Sequence, residues 1–360
     1  MEKDSAKPPI GLSVLIEPMD FQSIVFQLSM QKQLYLFFLD KKVPSLFYFF
    51  ITDGALGVNI FFVISGFLIT SLLIKEENST GKISLKNFYI RRSLRIFPAY
   101  FFLLLVYYIL ESFKLFKISN ISWLTALTYT KYFDNGAEWL TRHSWSLSVE
   151  EHFYLFWPFV FIYFPKHRKL ISILIVLVVP IFRLFFYWYP SSFLMPDLNF
   201  FVRIDAIAVG CILSLYQKKM QQFIYDKGKI SFYLSLIFLL LLYPLEKWAA
   251  KMNFGIFFII FGGRSGTMGN ILIGLVLMYS IFGNHGVWFK ILNSMILNYL
   301  GTLSYSIYLW QQIFTSPLKF WFTSFPQNIF LTFICAIGSF YLIEKPFLRL
   351  KTNYEIKLIN

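Results

Sequence analysis

The sequence predicts an all-α, polytopic integral membrane protein: a helical bundle of about ten transmembrane helices with both termini cytoplasmic. Three observations carry this expectation. The 360 residues are 57% hydrophobic and only 14% charged, whereas soluble domains hold about 25% charged residues. The mean hydropathy is +0.60 over the whole length, which excludes a water-soluble enzyme built around one apolar core. The apolar runs are continuous, not alternating, and so read as helices. A hydrocarbon core of about 30 Å takes roughly 20 helical residues per crossing, and only helices or closed barrels satisfy their backbone there.

Taken in order, crossings are expected near 21–39, 57–74, 96–111, 145–164, 170–188, 198–216, 230–245, 254–282, 297–315 and 327–343. The first is the weakest, because Gln22, Gln27, Gln31, Lys32 and Gln33 interrupt it. The eighth is broken at Gly262-Gly263-Arg264-Ser265-Gly266, where a loop or re-entrant piece is expected. With both ends inside, Lys and Arg favour the cytoplasmic segments by about two to one, the bias that orients membrane proteins. The chain reads as one membrane domain over 1–360.

The formal charge of +14 would suggest nucleic acid in a soluble protein. Here the basic residues sit in short runs between apolar stretches, so a lipid bilayer is the expected partner and nucleic acid is not. Cys211 and Cys335 lie inside apolar segments and read as packed thiols, without disulfide or metal-ligand spacing. Met1–Asp20 lacks the apolar region of a cleavable signal peptide. No phosphate-binding Gly-x-x-x-x-Gly-Lys, no Gly-x-Ser-x-Gly elbow and no His-x-x-x-x-Asp occurs, which argues against nucleotide-driven pumps, serine hydrolases and glycerolipid acyltransferases. No metal site is expected.

Several constellations remain. Arg91, Arg92 and Arg95 open the third crossing. At spacings of three and four they neighbour one another on a helix, and guanidinium forks suit phosphate oxygens. Gripping a phosphorylated cytosolic donor and anchoring to anionic lipid are both open readings. Glu150, Glu151 and His152 stand together at what reads as the outer end of the fourth crossing. Ser148-x-x-Glu151 fits a capping box, but ionisable groups at the edge of hydrocarbon suggest function, and a partly desolvated carboxylate there could act as a base toward a hydroxyl. Arg203 and Asp205, two apart, cannot face each other on a helix, so each calls for a partner on another helix. Ser65-Gly66 reads as close helix packing, as do Tyr305 and Tyr308, while Gln311 and Gln312 could hydrogen-bond a polar substrate. His167 and His285 read as solvated loop residues.

Taken in order, Gly57-Val-Asn-Ile-Phe-Phe-Val-Ile-Ser-Gly-Phe-Leu-Ile-Thr70, Arg91-Arg92-x-x-Arg95-Ile-x-Pro98 and Trp145-Ser-Leu-Ser-Val-Glu-Glu151 resemble the acyltransferase-3 superfamily. Arg203-x-Asp-Ala-x-Ala-x-Gly210, Leu300-Gly-x-x-Ser-Tyr-Ser-x-Tyr-Leu309 and Glu344-Lys-Pro346 extend the match, which covers about 56–350 and leaves 1–55 as a divergent N-terminal region. The resemblance implies a membrane O-acyltransferase of the bacterial cytoplasmic (inner) membrane. Its donor substrate would be acetyl-CoA or another acyl-CoA, with no bound cofactor, and its acceptor a cell-envelope polysaccharide or lipid-linked glycan. Arg91, Arg92 and Arg95 would then bind the donor phosphates on the inner side. Glu150, Glu151 and His152 would serve the acceptor on the outer side, with Ser65, Arg203, Asp205, Tyr305, Gln311 and Glu344 in support.

One departure stands out. The family's first crossing carries Arg or Lys, ten residues, then a His regarded as catalytic. Here no Arg precedes Arg91 and no His precedes His143. A shifted reading frame at the N-terminus, an inactive relative, or a base supplied by His152 are the three explanations. A transporter or flippase of envelope glycans is the alternative from another class.

Overall fold

The computed structural model describes residues 54–134, 138–189, 200–251, 266–283, 286–316 and 320–359, and every regular element among them is helical. In chain order they are α1 (Gly54–Thr80), α2 (Leu85–Ser112), α3 (Asn120–Leu127), α4 (Trp139–Arg142), α5 (Ser144–Tyr163), α6 (Arg168–Trp188), α7 (Phe200–Leu215) and α8 (Gln217–Lys251). Then follow α9 (Thr267–Phe282), α10 (Val287–Leu292), α11 (Met295–Phe314), α12 (Gln327–Ser339) and α13 (Lys345–Ile359). Each expected crossing from 57 onward overlaps a helix, the 254–282 crossing only over Thr267–Phe282; the expected 21–39 crossing and residues 252–265, with most of the glycine break, lie outside the described residues.

By length and composition, four helices among the described residues can cross a membrane: Leu56–Thr80, Leu85–Ser112, Arg168–Phe186 and Gln327–Tyr354. Phe200–Leu215 and Gln217–Leu242 pass together as a pair bent by 84°. The burial pattern is that of a bundle in lipid. On α6, Leu170, Leu174, Leu177, Ile181 and Phe185 form an exposed stripe at helical spacing, while Ser65, Thr70, Ser146, Ser148, Glu150, Asp205, Ser304 and Ser306 are buried. Apolar residues outside and polar residues within are what hydrocarbon selects.

Close packing centres on α1 against α7. A Cβ on Gly66 would stand 1.9 Å from the Ile207 carbonyl oxygen, and one on Gly210 would stand 2.0 Å from that of Val63. Both positions must therefore be glycine for these backbones to touch, as the packing reading of Ser65-Gly66 expects.

The chain differs most from expectation between α2 and α5. That stretch reads as an outer loop in the sequence, yet it folds back down beside α2. Glu111 Oε2 accepts from Trp123 Nε1 at 2.7 Å, and the Tyr100 hydroxyl donates to the Ala126 carbonyl at 2.9 Å. Thus α3 descends antiparallel to α2 and stops near its midpoint. The backbone then leaves the α-helical path through a 3-10 turn at Lys131–Phe133 and the single turn α4, before α5 resumes the descent. Non-helical backbone at such depth persists only where protein satisfies it. Here the Lys131 N–H donates to Ser148 Oγ at 3.2 Å, Ser144 Oγ donates to the Thr141 carbonyl at 2.8 Å, and the Tyr308 hydroxyl donates to the His143 carbonyl at 2.5 Å. Lys131 and Asp134, both buried, pair at 2.7 Å. The result is a discontinuous helix, a form that membrane proteins use around binding sites.

Candidate active site

Because α5 starts halfway down the bundle, its seventh and eighth residues lie deeper than a helix beginning at the outer surface would place them. Glu150 and Glu151 therefore reach the level of Arg92, about two turns (roughly 10 Å) inside the start of α2. This corrects the sequence reading, which set arginines and carboxylates at opposite faces. It also removes the capping-box reading. Ser148 lies inside α5 and its hydroxyl donates to the Ser144 carbonyl at 2.9 Å, while Glu151 is held by Arg92.

Three helices supply the cluster. Arg92 from α2 places an Nη2 3.0 Å from Glu150 Oε1 and its Nε 3.3 Å from Glu151 Oε1. Its guanidinium lies over the Tyr154 ring, 3.7 Å from the centroid. From α1, Ser65 hydrogen-bonds both Glu150 and Tyr154, and the Tyr154 hydroxyl also donates to Glu150. Ser65 is thus a partner of the carboxylate as well as the neighbour of a packing glycine. Sequence reasoning missed Tyr154, although its place three and four residues after Glu151 and Glu150 puts it on the same face. One guanidinium against two carboxylates leaves the cluster with surplus negative charge if both are ionised, so Arg92 is not an open cation for phosphate.

Arg91 diverges from it. Arg91 pairs with Glu76 at the end of α1, because adjacent helical residues point about 100° apart. The expected convergence of Arg91, Arg92 and Arg95 on one ligand is replaced, for Arg91 and Arg92, by separate acidic partners: Glu76 for the first, Glu150 and Glu151 for the second. Next to Arg91, Glu77 takes both Nη atoms of Arg168, at 2.6 and 2.7 Å, so this end of the bundle is latched across α1, α2 and α6.

A cavity of about 220 Å³ adjoins the cluster. Arg92, Glu151, His152 and Tyr154 line it together with Tyr129 and Phe97; Glu150 does not. His152 Nδ1 lies 2.8 Å from the Ser148 carbonyl. Donation to that oxygen keeps the proton on Nδ1 and leaves Nε2 of the neutral ring as an acceptor. The cavity therefore joins a base, a carboxylate and a cation in one place.

Of the supporting residues, Ser65 belongs to the cluster itself. Asp205 receives Arg183 at 2.6 Å and Thr267 at 2.7 Å, so its partners come from α6 and α9, as the spacing of Arg203 and Asp205 requires. Arg203 lies 5.8 Å from the centroid of the Trp145 ring. Tyr305 donates to the Ile96 carbonyl at 3.0 Å, tying α11 to α2. Gln311 is buried in α11, and its neighbour Gln312 donates to the Trp139 carbonyl. Glu344 ends a π-helical turn, Phe340–Glu344, and accepts from Ser306.

This geometry coincides with a family match over most of the chain. The family described as an acyltransferase domain, acyltransferase-3, matches residues 30–344. The chain belongs to that family. A Staphylococcus aureus (strain COL) protein, provisionally named an O-acetyltransferase, is 27% identical over 346 residues, 82% of this chain and 53% of its own length. Peptidoglycan O-acetyltransferase OatA of Listeria monocytogenes serovar 1/2a (strain EGD-e) is 27% identical over 334 residues, covering 81% and 51%. O-acetyltransferase OatA of S. aureus (strain NCTC 8325) is 41% identical over 133 residues, covering 33% and 22%. The chain spans about half the length of the first two relatives. No solved structure matches it.

Proposed function

We propose that this acyltransferase-3 protein is a membrane O-acyltransferase that moves an acyl group, acetyl in the first instance, from a cytosolic acyl-CoA to a hydroxyl of a cell-envelope polysaccharide or glycolipid. The observation that carries this reading is the meeting of Ser65, Arg92, Glu150, Glu151 and Tyr154 beside a cavity that also holds His152. Ser65, Arg92 and the pair Glu150 and Glu151 come from three separate family motifs, and the relatives' names supply the acetyl group and the envelope acceptor. The bacterial inner membrane fits the charge bias of the loops.

In this reading the donor enters at the end bearing Arg91 and Arg95, and its thioester reaches the cavity. The acceptor hydroxyl gives its proton to His152 Nε2 as its oxygen attacks the thioester carbon. The C–O bond forms, the C–S bond breaks, and the proton passes to the departing thiolate. Arg92 acts by fixing Glu150 and Glu151, and Glu151 orients the hydroxyl. Both reactants meet at one depth, inside the bundle.

The test is transfer of label from acetyl-CoA to envelope polysaccharide by membranes containing the protein. Labelled polymer with the native chain, and none with Arg92→Ala at equal membrane abundance, is expected. A protein that moves glycan across vesicles while ignoring labelled acetyl-CoA would be a transporter instead.

A further inference from the structure

Tyr129 occupies a position that backbone geometry reserves for glycine. At the end of α3 the Thr130 N–H donates to the Thr125 carbonyl at 2.9 Å and the Tyr129 N–H to that of Ala126 at 3.3 Å. This bonding pattern closes a helix through a left-handed residue, usually glycine, and Tyr129 takes it with φ of 55°. Side chains with a bulky Cβ substituent rarely adopt that region, and those that do cluster at functional sites. Lys114 does the same after α2, but its side chain is exposed. Tyr129 is only 8% exposed.

Its ring is fixed by Tyr100, 4.6 Å between centroids, and by Phe97 at 5.7 Å. The hydroxyl at the end of this rigid mount is buried and has no hydrogen-bond partner among the described residues, whereas buried tyrosines ordinarily find one. The residue lines the cavity beside Arg92, Glu151 and His152. Four other hydroxyls line that wall: Tyr89 donates to the Leu155 carbonyl, Thr128 to that of Leu124 and Tyr154 to Glu150, while Ser93, also on the wall, is less buried than Tyr129. Arg92 is held by two carboxylates. What the cavity offers a ligand at Tyr129 is thus a neutral donor, beside a guanidinium whose charge is already matched by carboxylates. A carbonyl oxygen fits that description.

We propose that the Tyr129 hydroxyl is a substrate-binding group that donates a hydrogen bond to the carbonyl oxygen of the acyl thioester seated in this cavity. The assignment rests on the acyl-CoA reading above. It explains why a strained tyrosine is kept where glycine would relax the turn.

The experiment compares acetyl-CoA with CoA, which lacks the carbonyl, by ligand-induced thermal shift of the full chain purified in detergent. The native protein should bind acetyl-CoA more tightly than CoA. In Tyr129→Phe that preference should fall roughly three- to tenfold, the effect of one neutral hydrogen bond. The unliganded variant should melt no lower than the native chain, since phenylalanine keeps the ring packing and loses only an unmatched hydroxyl. An undiminished preference in Tyr129→Phe overturns the assignment. A lowered melting temperature without ligand also overturns it, because the hydroxyl would then have a partner in the protein. Equal binding of both probes by the native chain removes the Tyr129 assignment alone, whereas binding of neither removes the acyl-CoA reading and this assignment with it.

Discussion

The Arg92 guanidinium stands 3.0 Å from the carboxylate of Glu150, a side chain 1% exposed that also receives Ser65 and Tyr154. A buried ion pair contributes modestly as a pair, but losing one member strands the other. Arg92→Ala should therefore destabilise the bundle by about 3–5 kcal/mol, measured by thermal unfolding in detergent. Arg92→Lys should recover only part of this, because a compact ammonium cannot span Glu150 and Glu151 as a fork does. Full recovery by lysine would show that charge alone matters.

His152 lines the cavity and Glu150 does not. His152→Gln should lower transfer about a hundredfold or more, within the range of general-base removal, while leaving the melting temperature close to native. Wild-type activity in His152→Gln would move the proton-accepting role to Glu151.

The α1–α7 contact leaves no space for a methyl group at Gly66. Gly66→Ala must part the two backbones and should destabilise the protein by about 1–3 kcal/mol or more, as overpacking does. A methyl group on Gly338 in α12 would meet nothing within 4 Å among the described residues, so Gly338→Ala should be neutral or stabilising by up to about 1 kcal/mol. Paired thermal scans of the two variants check the contrast.

Asp205 is fully buried and receives both Arg183 and Thr267. Asp205→Ala should cost about 3–5 kcal/mol by removing the buried carboxylate that receives Arg183 and Thr267. Adding Arg183→Met should return part of that loss. If the double variant is as unstable as the single one, the penalty does not come from Arg183.

Much of the fold was legible because lipid imposes a simple rule on sequence. Long apolar runs must be helical, and from 57 onward each was, among the described residues. The need of Asp205 for a partner on another helix followed from helical spacing, and Gly66 announced a close contact. Tyr154 was legible in principle from its spacing to Glu150. Arg183 as the partner of Asp205 was not, since pairing across a bundle leaves no periodic trace. Nor was Tyr129, because its left-handed backbone is set by the turn after α3 and nothing in its residue type marks it.

By itself, then, the amino-acid order determined a helical membrane chain, its family motifs and the residues available for chemistry. Tertiary structure alone decided their depth. Segment 120–143 is polar enough to read as an exterior loop, yet Tyr100, Ser148 and Tyr308 bond its backbone at Ala126, Lys131 and His143 inside the bundle. That refolding lowers the start of α5 and sets Glu150 and Glu151 against Arg92. Hydropathy records how much of a segment tolerates lipid, but not which polar groups find partners once the helices have packed.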